Sequence, residues 1–222
     1  LENLMDVYLD AVLDPNIYRR PRIFEQEGWH EELIARDGAG DAAELPPDQT
    51  ELVYNGVVYN EMKGALSDAN AVLFDEVQSA LFPDTCYAFE SGGTPEAIPA
   101  LTYEGFLDEH RRHYRTGNSY LFLYGDVDID RALAFLDERY LTPVSAEQDA
   151  GDARRAEAGE QPLEPRAIGR QQPVAAPHRR KTMDTAPENA CAAAGYVIGD
   201  ASDRMKVTAA DILLDALMGS NE

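Results

Sequence analysis

The sequence is poor in cysteine and in basic residues. Its 222 residues include two cysteines, Cys86 and Cys191, which stand far apart and lack the short spacing of a metal or redox motif. A disulfide scaffold is therefore excluded, and both thiols are expected to be free. The 19 lysine and arginine residues face 41 aspartate and glutamate residues, which gives a formal net charge of −22. Nucleic acids and anionic membranes are excluded as partners because phosphate binding requires clustered basic side chains.

Long apolar runs are absent as well. No stretch approaches the roughly 20 residues that cross a bilayer, and the first residues do not resemble a signal peptide. If the native N-terminus has been removed, this absence says nothing about targeting. Two free thiols indicate a reducing compartment, so we expect a cytoplasmic protein with no membrane partner. The hydrophobic content of 44% is enough to form a core, and the length allows one or two domains.

Glu61 interrupts an apolar helical pattern. Residues 50–66 are predicted to form one helix, and the face that contains Glu61 is otherwise apolar. A carboxylate that faces a core is strongly unfavourable unless it is paired, hydrogen-bonded or bound to a metal. Two interpretations follow: Glu61 lies at the edge of this face and reaches solvent or an arginine, or it has a partner outside the local sequence. The residues that share the face are Tyr54, Val57, Val58, Glu61 and Ala65.

The residues around Glu61 resemble a segment of a known enzyme family. Residues 54–67, YNGVVYNEMKGALS, are similar to the segment that carries the third zinc ligand of the pitrilysin/insulinase-type inverted-zincin metallopeptidases. The similarity is greatest to the presequence protease branch. Further blocks match the family in order along most of the chain, namely residues 1–12, 24–30, 91–99, 101–106, 110–118 and 124–126.

The resemblance implies a zinc site to which this chain contributes one ligand. In the family, two histidines of an H-x-x-E-H motif bind zinc, the glutamate of that motif acts as the general base, and a glutamate on a later helix completes the site. Glu61 matches that later glutamate. The 222 residues contain no H-x-x-E-H motif, so the base and two ligands are expected upstream. The chain then resembles an inactive fragment without bound zinc, because one carboxylate holds the ion weakly.

A glycine-rich loop is predicted at residues 84–99. Ser91, Gly92 and Gly93 match a family loop close to the active-site cleft, so the resemblance implies that they bind substrate. Turn formation is the alternative, because the stretch lacks the lysine and the strand–loop–helix setting of a phosphate-binding loop. His110 and His113 have H-x-x-H spacing but no third ligand at helical spacing, and we interpret them as packing residues.

The predicted elements indicate an α+β fold in which helices pack on a mainly antiparallel sheet. Residues 119–124 form an apolar run typical of a central strand with both faces covered. Residues 17–36 are expected to be extended, and residues 179–185 and 190–198 are expected to be strands. Caps are predicted for three helices, at Ser67–Asp68, Thr102 and Asp128.

Three segments are predicted from composition and from the resemblance. Residues 1–141 are interpreted as the C-terminal part of an insulinase-like catalytic domain, and residues 178–222 as the N-terminal part of a second, similar domain. Residues 142–177 have few large apolar side chains and are predicted to be a solvated, partly mobile connector. An incomplete sheet has an unpaired edge, so self-association of the fragment is expected.

Two functions from different classes fit the sequence. The first is a fragment of a zinc metalloendopeptidase that degrades short unstructured peptides and needs the remaining domains of the same polypeptide. The charge of −22 favours basic peptides, although acidity that serves only solubility is the alternative. The second function is a non-catalytic peptidase-like module with a structural or peptide-binding role. Retention of Glu61 within N-E-M-K-G favours the enzyme.

Overall fold

The computed structural model describes residues 1–38, 41–175 and 178–219. The chain forms two units: the first contains Leu1–Ser67 and Glu90–Gly169, and the second contains Asp68–Phe89 and Arg170–Glu222. The last two residues of the predicted connector, 176–177, and the last three of the predicted second domain, 220–222, lie outside the described residues.

The described residues contain eight α-helices and one small antiparallel sheet, which agrees with the α+β class. Strand β1 (His30–Ala35) pairs with β2 (Thr50–Asn55), with His30 opposite Asn55. None of the described helices is long and apolar enough to cross a membrane. The helices are α1 (Glu2–Leu13), α2 (Arg22–Glu27), α3 (Val57–Ala65), α4 (Ala69–Leu81), α5 (Tyr103–His113), α6 (Ile129–Leu136), α7 (Thr142–Glu157) and α8 (Arg204–Met218), with a π-helical segment at Asp137–Leu141 and 3-10 turns at Asn16–Tyr18, Ala42–Glu44, Pro47–Gln49, Cys86–Ala88, Ile98–Ala100, Thr116–Asn118 and Pro187–Asn189.

Two of the predicted elements differ from the structure. The single helix predicted at residues 50–66 is wrong in its first part, because Thr50–Asn55 pairs with β1 and α3 begins at Val57. Residues 17–36 are not extended throughout, since they contain part of a 3-10 turn and all of α2 before β1 begins. Pairing with a strand distant in sequence overrides the helical spacing at residues 50–55, and periodicity within one segment does not report such pairing.

The core of the first unit lies between α1, α6 and the π-helical segment. The Tyr140 hydroxyl donates to the Asp6 carboxylate at 2.6 Å, and Arg139 donates to the same carboxylate at 3.1 Å. Burial, together with the hydrogen bond to Asp6, raises the pKa of Tyr140 to about 12, so this hydroxyl remains a donor at neutral pH. The buried members of this core are Met5, Leu9, Ala132, Leu136 and Tyr140.

The apolar run at residues 119–124 belongs to no strand or helix among the described residues. Leu123 packs against the core, whereas Tyr120, Phe122 and Tyr124 are almost fully exposed. The prediction of a strand covered on both faces is therefore wrong here.

Helix α4 organises the second unit. Residues 179–185 and 190–198 do not form the predicted strands within the described part of this unit. They contact α4 instead: Arg179 donates to the Ser79 hydroxyl at 3.0 Å, and Gly195 packs against Leu81.

All three predicted helix caps are confirmed. In each case the side-chain oxygen accepts a hydrogen bond from a backbone N–H two or three residues later, which satisfies a donor that has no partner within the helix. These pairs are Asp68 with Asn70, Thr102 with Gly105, and Asp128 with Arg131.

The predicted connector contains α7 and is bound to α5 and the chain after it. Arg115 donates to Asp152 at 2.5 Å, Arg166 donates to Glu109 at 2.6 Å, and Leu163 is buried. Most side chains of residues 142–166 are exposed, as in a solvated segment, but the segment is helical over Thr142–Glu157 and is held by these contacts. The composition did not indicate these contacts because most of them are ionic rather than apolar. The predicted domain boundaries themselves stay predictions.

Gly56 joins β2 to α3 with a positive φ of 151°, a conformation that favours glycine. A Cβ atom at this position would lie 2.3 Å from the Gly28 carbonyl oxygen and 2.8 Å from Trp29 Cα. The Tyr59 N–H donates to the same Gly28 carbonyl at 3.3 Å. The start of α3 is therefore packed directly on the backbone that leads into β1.

His110 holds α5 against the end of α1. Its Nε2 lies 2.9 Å from the Val12 carbonyl oxygen, which can only accept, so Nε2 carries the proton. In the neutral ring Nδ1 then accepts from the Tyr18 hydroxyl, 2.6 Å away. Burial lowers the pKa of His110, and the nearby Arg111 lowers it further.

Alanine at Gly56 is expected to reduce the free energy of unfolding by about 2 kcal/mol or more, because its Cβ meets backbone atoms and its φ is unfavourable. Gly64→Ala is the matched control on the same helix. A Cβ at Gly64 would meet no atom within 4 Å beyond its chain neighbours and the backbone of its own helix, so alanine is expected to add up to about 1 kcal/mol of stability. Urea unfolding followed by circular dichroism measures both changes. Equal effects of the two substitutions would contradict the close approach at Gly56.

Acidification from pH 7.5 to 5.5 is expected to reduce stability through His110. Its folded-state pKa lies below the usual 6.5, so the unfolded state binds more protons as the pH falls through that value. The contribution is complete above pH 6.5 and is lost toward the lower, folded-state pKa. The urea midpoint of His110→Gln should vary less with pH than that of the unsubstituted chain, whereas His113→Gln should retain the dependence. Identical profiles for all three proteins would contradict this assignment.

Candidate functional site

Glu61 lies in the middle of α3 with its side chain exposed. It has no hydrogen bond or ion pair to any other described residue. Met62, the next residue, is buried and provides the inward contact of this helix. The prediction that the Glu61 face packs against a core is therefore wrong in this chain, and the interpretation in which Glu61 reaches solvent describes the structure.

Asn55 fixes the beginning of α3 from the end of β2. Its Oδ1 accepts from the Gly56 N–H at 2.8 Å and from the Asn60 side chain at 2.6 Å. Its Nδ2 donates to the Glu32 carboxylate on β1. The residue immediately before Glu61 is thus connected by hydrogen bonds to both strands of the sheet.

The glycine-rich loop lies against the Glu61 helix. A Cβ at Gly92 would be 2.2 Å from the Met62 sulfur, so only a glycine allows this approach without a shift of that side chain. Gly93 has a φ of 81° and lies beside the buried Ile98. The Ser91 hydroxyl and the Gly92 N–H both point toward the Glu90 carboxylate, at 3.3 and 3.4 Å.

These contacts bring together the two segments that the sequence analysis singled out. Met62 follows Glu61 directly, and the loop of Ser91, Gly92 and Gly93 rests on Met62. The loop therefore lies next to the helix turn that carries the exposed carboxylate, although the substrate-binding role of the three loop residues stays a prediction.

The described residues do not fit a complete zinc site. No group of three or more histidine, cysteine, aspartate or glutamate side chains among them is arranged to hold a metal ion. Both ring nitrogens of His110 are engaged, with Val12 and Tyr18, and His113 lies 3.4 Å from the Glu109 carboxylate. Glu61 offers an exposed carboxylate without a partner, which suits a single ligand, and zinc binding requires several ligands that converge on one ion.

Sequence reasoning missed the role of Asn55. The Asn-Gly pair at 55–56 is a recognised turn signal, and it marks the junction where β2 ends and α3 begins. The helix predicted at residues 50–66 includes this pair, whereas the structure places Asn55 at the end of β2, before α3 begins. The contact between Asn60 and Asn55 depends on the strand that periodicity did not reveal.

Three relatives illustrate what the chain is similar to. Protein HypA of Clostridium perfringens (strain 13 / Type A) is 50% identical over 139 residues, which are 63% of this chain and 13% of that protein. Presequence protease 1, chloroplastic/mitochondrial, of Arabidopsis thaliana is 42% identical over 136 residues, 61% of this chain and 12% of that protein. The mitochondrial presequence protease of Schizosaccharomyces pombe is 40% identical over 139 residues, 63% of this chain and 13% of that protein.

The matched part of the chain therefore spans about one eighth of the length of these relatives. A family model described as "Peptidase M16 inactive domain" matches residues 100–222, which is more than half of the chain. The resemblance to this class of peptidases is thereby confirmed, and the chain belongs to the peptidase M16 family.

Proposed function

We propose that this chain is part of a zinc-dependent metalloendopeptidase, to which it contributes Glu61 as one zinc ligand. The observation that supports the proposal is that Glu61 makes no hydrogen bond or ion pair within the described part of the chain, whereas both of its sequence neighbours are held in place. Asn60 is bonded to Asn55 and Met62 is buried, whereas Glu61 between them is exposed and has no partner among the described residues. A carboxylate held in this way suits a ligand that other residues complete.

The general base and the other zinc ligands belong, in this proposal, to parts of the polypeptide beyond this chain. The chain alone is then inactive, because a single carboxylate binds zinc weakly. Two of the relatives described above are named presequence proteases, which supports peptides as substrates. The net charge of −22 favours basic, unstructured peptides through long-range attraction.

Ser91, Gly92 and Gly93 are proposed to contact the substrate. The support is the packing of Gly92 on Met62, the residue that follows Glu61. Cytoplasmic location is a separate proposal, and two of the relatives carry mitochondrial or chloroplastic names instead. Self-association of the isolated chain stays a prediction of the sequence.

A non-catalytic module is the second candidate function. One observation favours it: the family model that matches residues 100–222 is described as an inactive domain. In this case the chain would have a structural or peptide-binding role, and Glu61 would be dispensable.

Glu61→Gln is expected to abolish peptide cleavage in a longer polypeptide from the same gene, extended at both ends. The loss should be about a hundredfold or more, since even residues that only orient metal ligands cost about 10- to 100-fold. The assay measures cleavage of a basic unstructured peptide in the presence of zinc. Glu51→Gln is the matched control. It removes an exposed carboxylate from β2 instead of α3 and should leave cleavage unchanged.

The 222-residue chain should be inactive in the same assay. A long polypeptide that folds and binds the peptide without cleaving it, with no difference between Glu61→Gln and the unsubstituted protein, would contradict the enzymatic proposal. That result would favour the non-catalytic module.

A further inference from the structure

Three polar side chains form a continuous hydrogen-bonded chain that ends beside Glu61. Glu32 on β1 accepts from Asn55 Nδ2, and Asn55 Oδ1 accepts from Asn60 Nδ2 at 2.6 Å. Asn60 precedes Glu61 directly. The exposed carboxylate is thus one residue away from a connection that begins on the other strand of the sheet.

The orientation of the Asn55 amide is determined by its partners. Its oxygen faces two donors, the Gly56 N–H and the Asn60 amide, and its nitrogen faces the Glu32 carboxylate, which only accepts. A reversed amide would place its NH2 group against two donors and its oxygen against a carboxylate. Asn55 therefore has one favourable orientation, and this orientation holds the first turn of α3.

Helix α3 is also held at Met62, the residue that follows Glu61. Met62 is 8% exposed and its sulfur lies against Gly92, where a Cβ atom would force the Met62 side chain to shift. Both sequence neighbours of Glu61 are therefore fixed, Asn60 by hydrogen bonds and Met62 by packing. Glu61 is left exposed at the one position of the three that has no internal contact.

We propose that Asn55 and Asn60 are positioning residues for the Glu61 carboxylate. They set the rotation and the starting point of α3, and hence the direction in which Glu61 projects. This inference rests on the proposed function, in which Glu61 binds zinc. Residues that orient a metal ligand reduce metal affinity when they are removed, although they do not touch the ion.

Asn60→Ala in the long polypeptide tests the inference directly. Zinc affinity, measured by competition with a chromogenic chelator, is expected to fall about tenfold or more. The kcat for peptide cleavage should fall with it while KM stays unchanged, because the substrate contacts remain. Asn118→Ala is the matched control, since Asn118 is an exposed asparagine whose side chain donates to the His113 carbonyl, and it should change neither quantity.

A single variant and a double variant that exchanges the amide and the carboxylate distinguish a positioning role from a general loss of stability. Asn55→Asp keeps the acceptor for Asn60 but sets a second carboxylate against Glu32, so zinc affinity should fall about tenfold. The double variant Glu32→Gln/Asn55→Asp restores an amide–carboxylate hydrogen bond between the strands with donor and acceptor exchanged. It should recover zinc affinity and kcat to within about threefold of the unsubstituted protein.

The outcomes distinguish this inference from the proposed function. If Glu61→Gln removes zinc binding and cleavage but Asn60→Ala and Asn55→Asp leave both unchanged, the positioning role is overturned and the ligand role stands. If Glu61→Gln has no effect, the proposed function fails and this inference fails with it. Should Asn60→Ala prevent folding, the comparison between Asn55→Asp and its double variant decides the question.

Discussion

The close approach of Gly56 to the backbone of Gly28 and Trp29 is the constraint on which the candidate site depends. It ends β2, begins α3 and fixes the helix against the chain that leads into β1. A residue with a Cβ atom would have to move this junction, and the hydrogen bond from Tyr59 to Gly28 would move with it. The place where α3 begins follows from this contact, together with the hydrogen bonds that Asn55 accepts from Gly56 and Asn60.

Most residues named around Glu61 make contacts that hold the helix in place. Gly56 makes the backbone contact, Asn60 bonds to Asn55, and Met62 fills the space below Gly92. Each of these residues has a physical reason for its identity in the chain itself. Glu61 makes no such contact among the described residues, and its role as a zinc ligand is the proposal made above.

The sequence predicted the parts of the fold that depend on local chemistry. The caps at Asp68, Thr102 and Asp128 are confirmed because a cap is a contact between residues two or three positions apart. Helix α3 was predicted, but its start was placed too early, because the pairing of Thr50–Asn55 with β1 is a long-range contact.

The errors outside this helix have the same origin. Helix α7 was missed because its contacts with Arg115 and the rest of that region are ion pairs, which leave no apolar pattern. At the candidate site, the family motif identifies Glu61, whereas periodicity leaves open whether its side chain reaches solvent or has a partner elsewhere. The contact between Gly92 and Met62 joins residues far apart in sequence, and no local pattern could have indicated it.

The position of bound zinc tests the central claim most directly. Anomalous scattering at the zinc absorption edge, from crystals of the longer polypeptide, would locate the ion relative to Glu61. The account predicts a zinc peak with a Glu61 carboxylate oxygen about 2.0–2.2 Å away. A fully occupied zinc site in which the Glu61 carboxylate takes no part would contradict it.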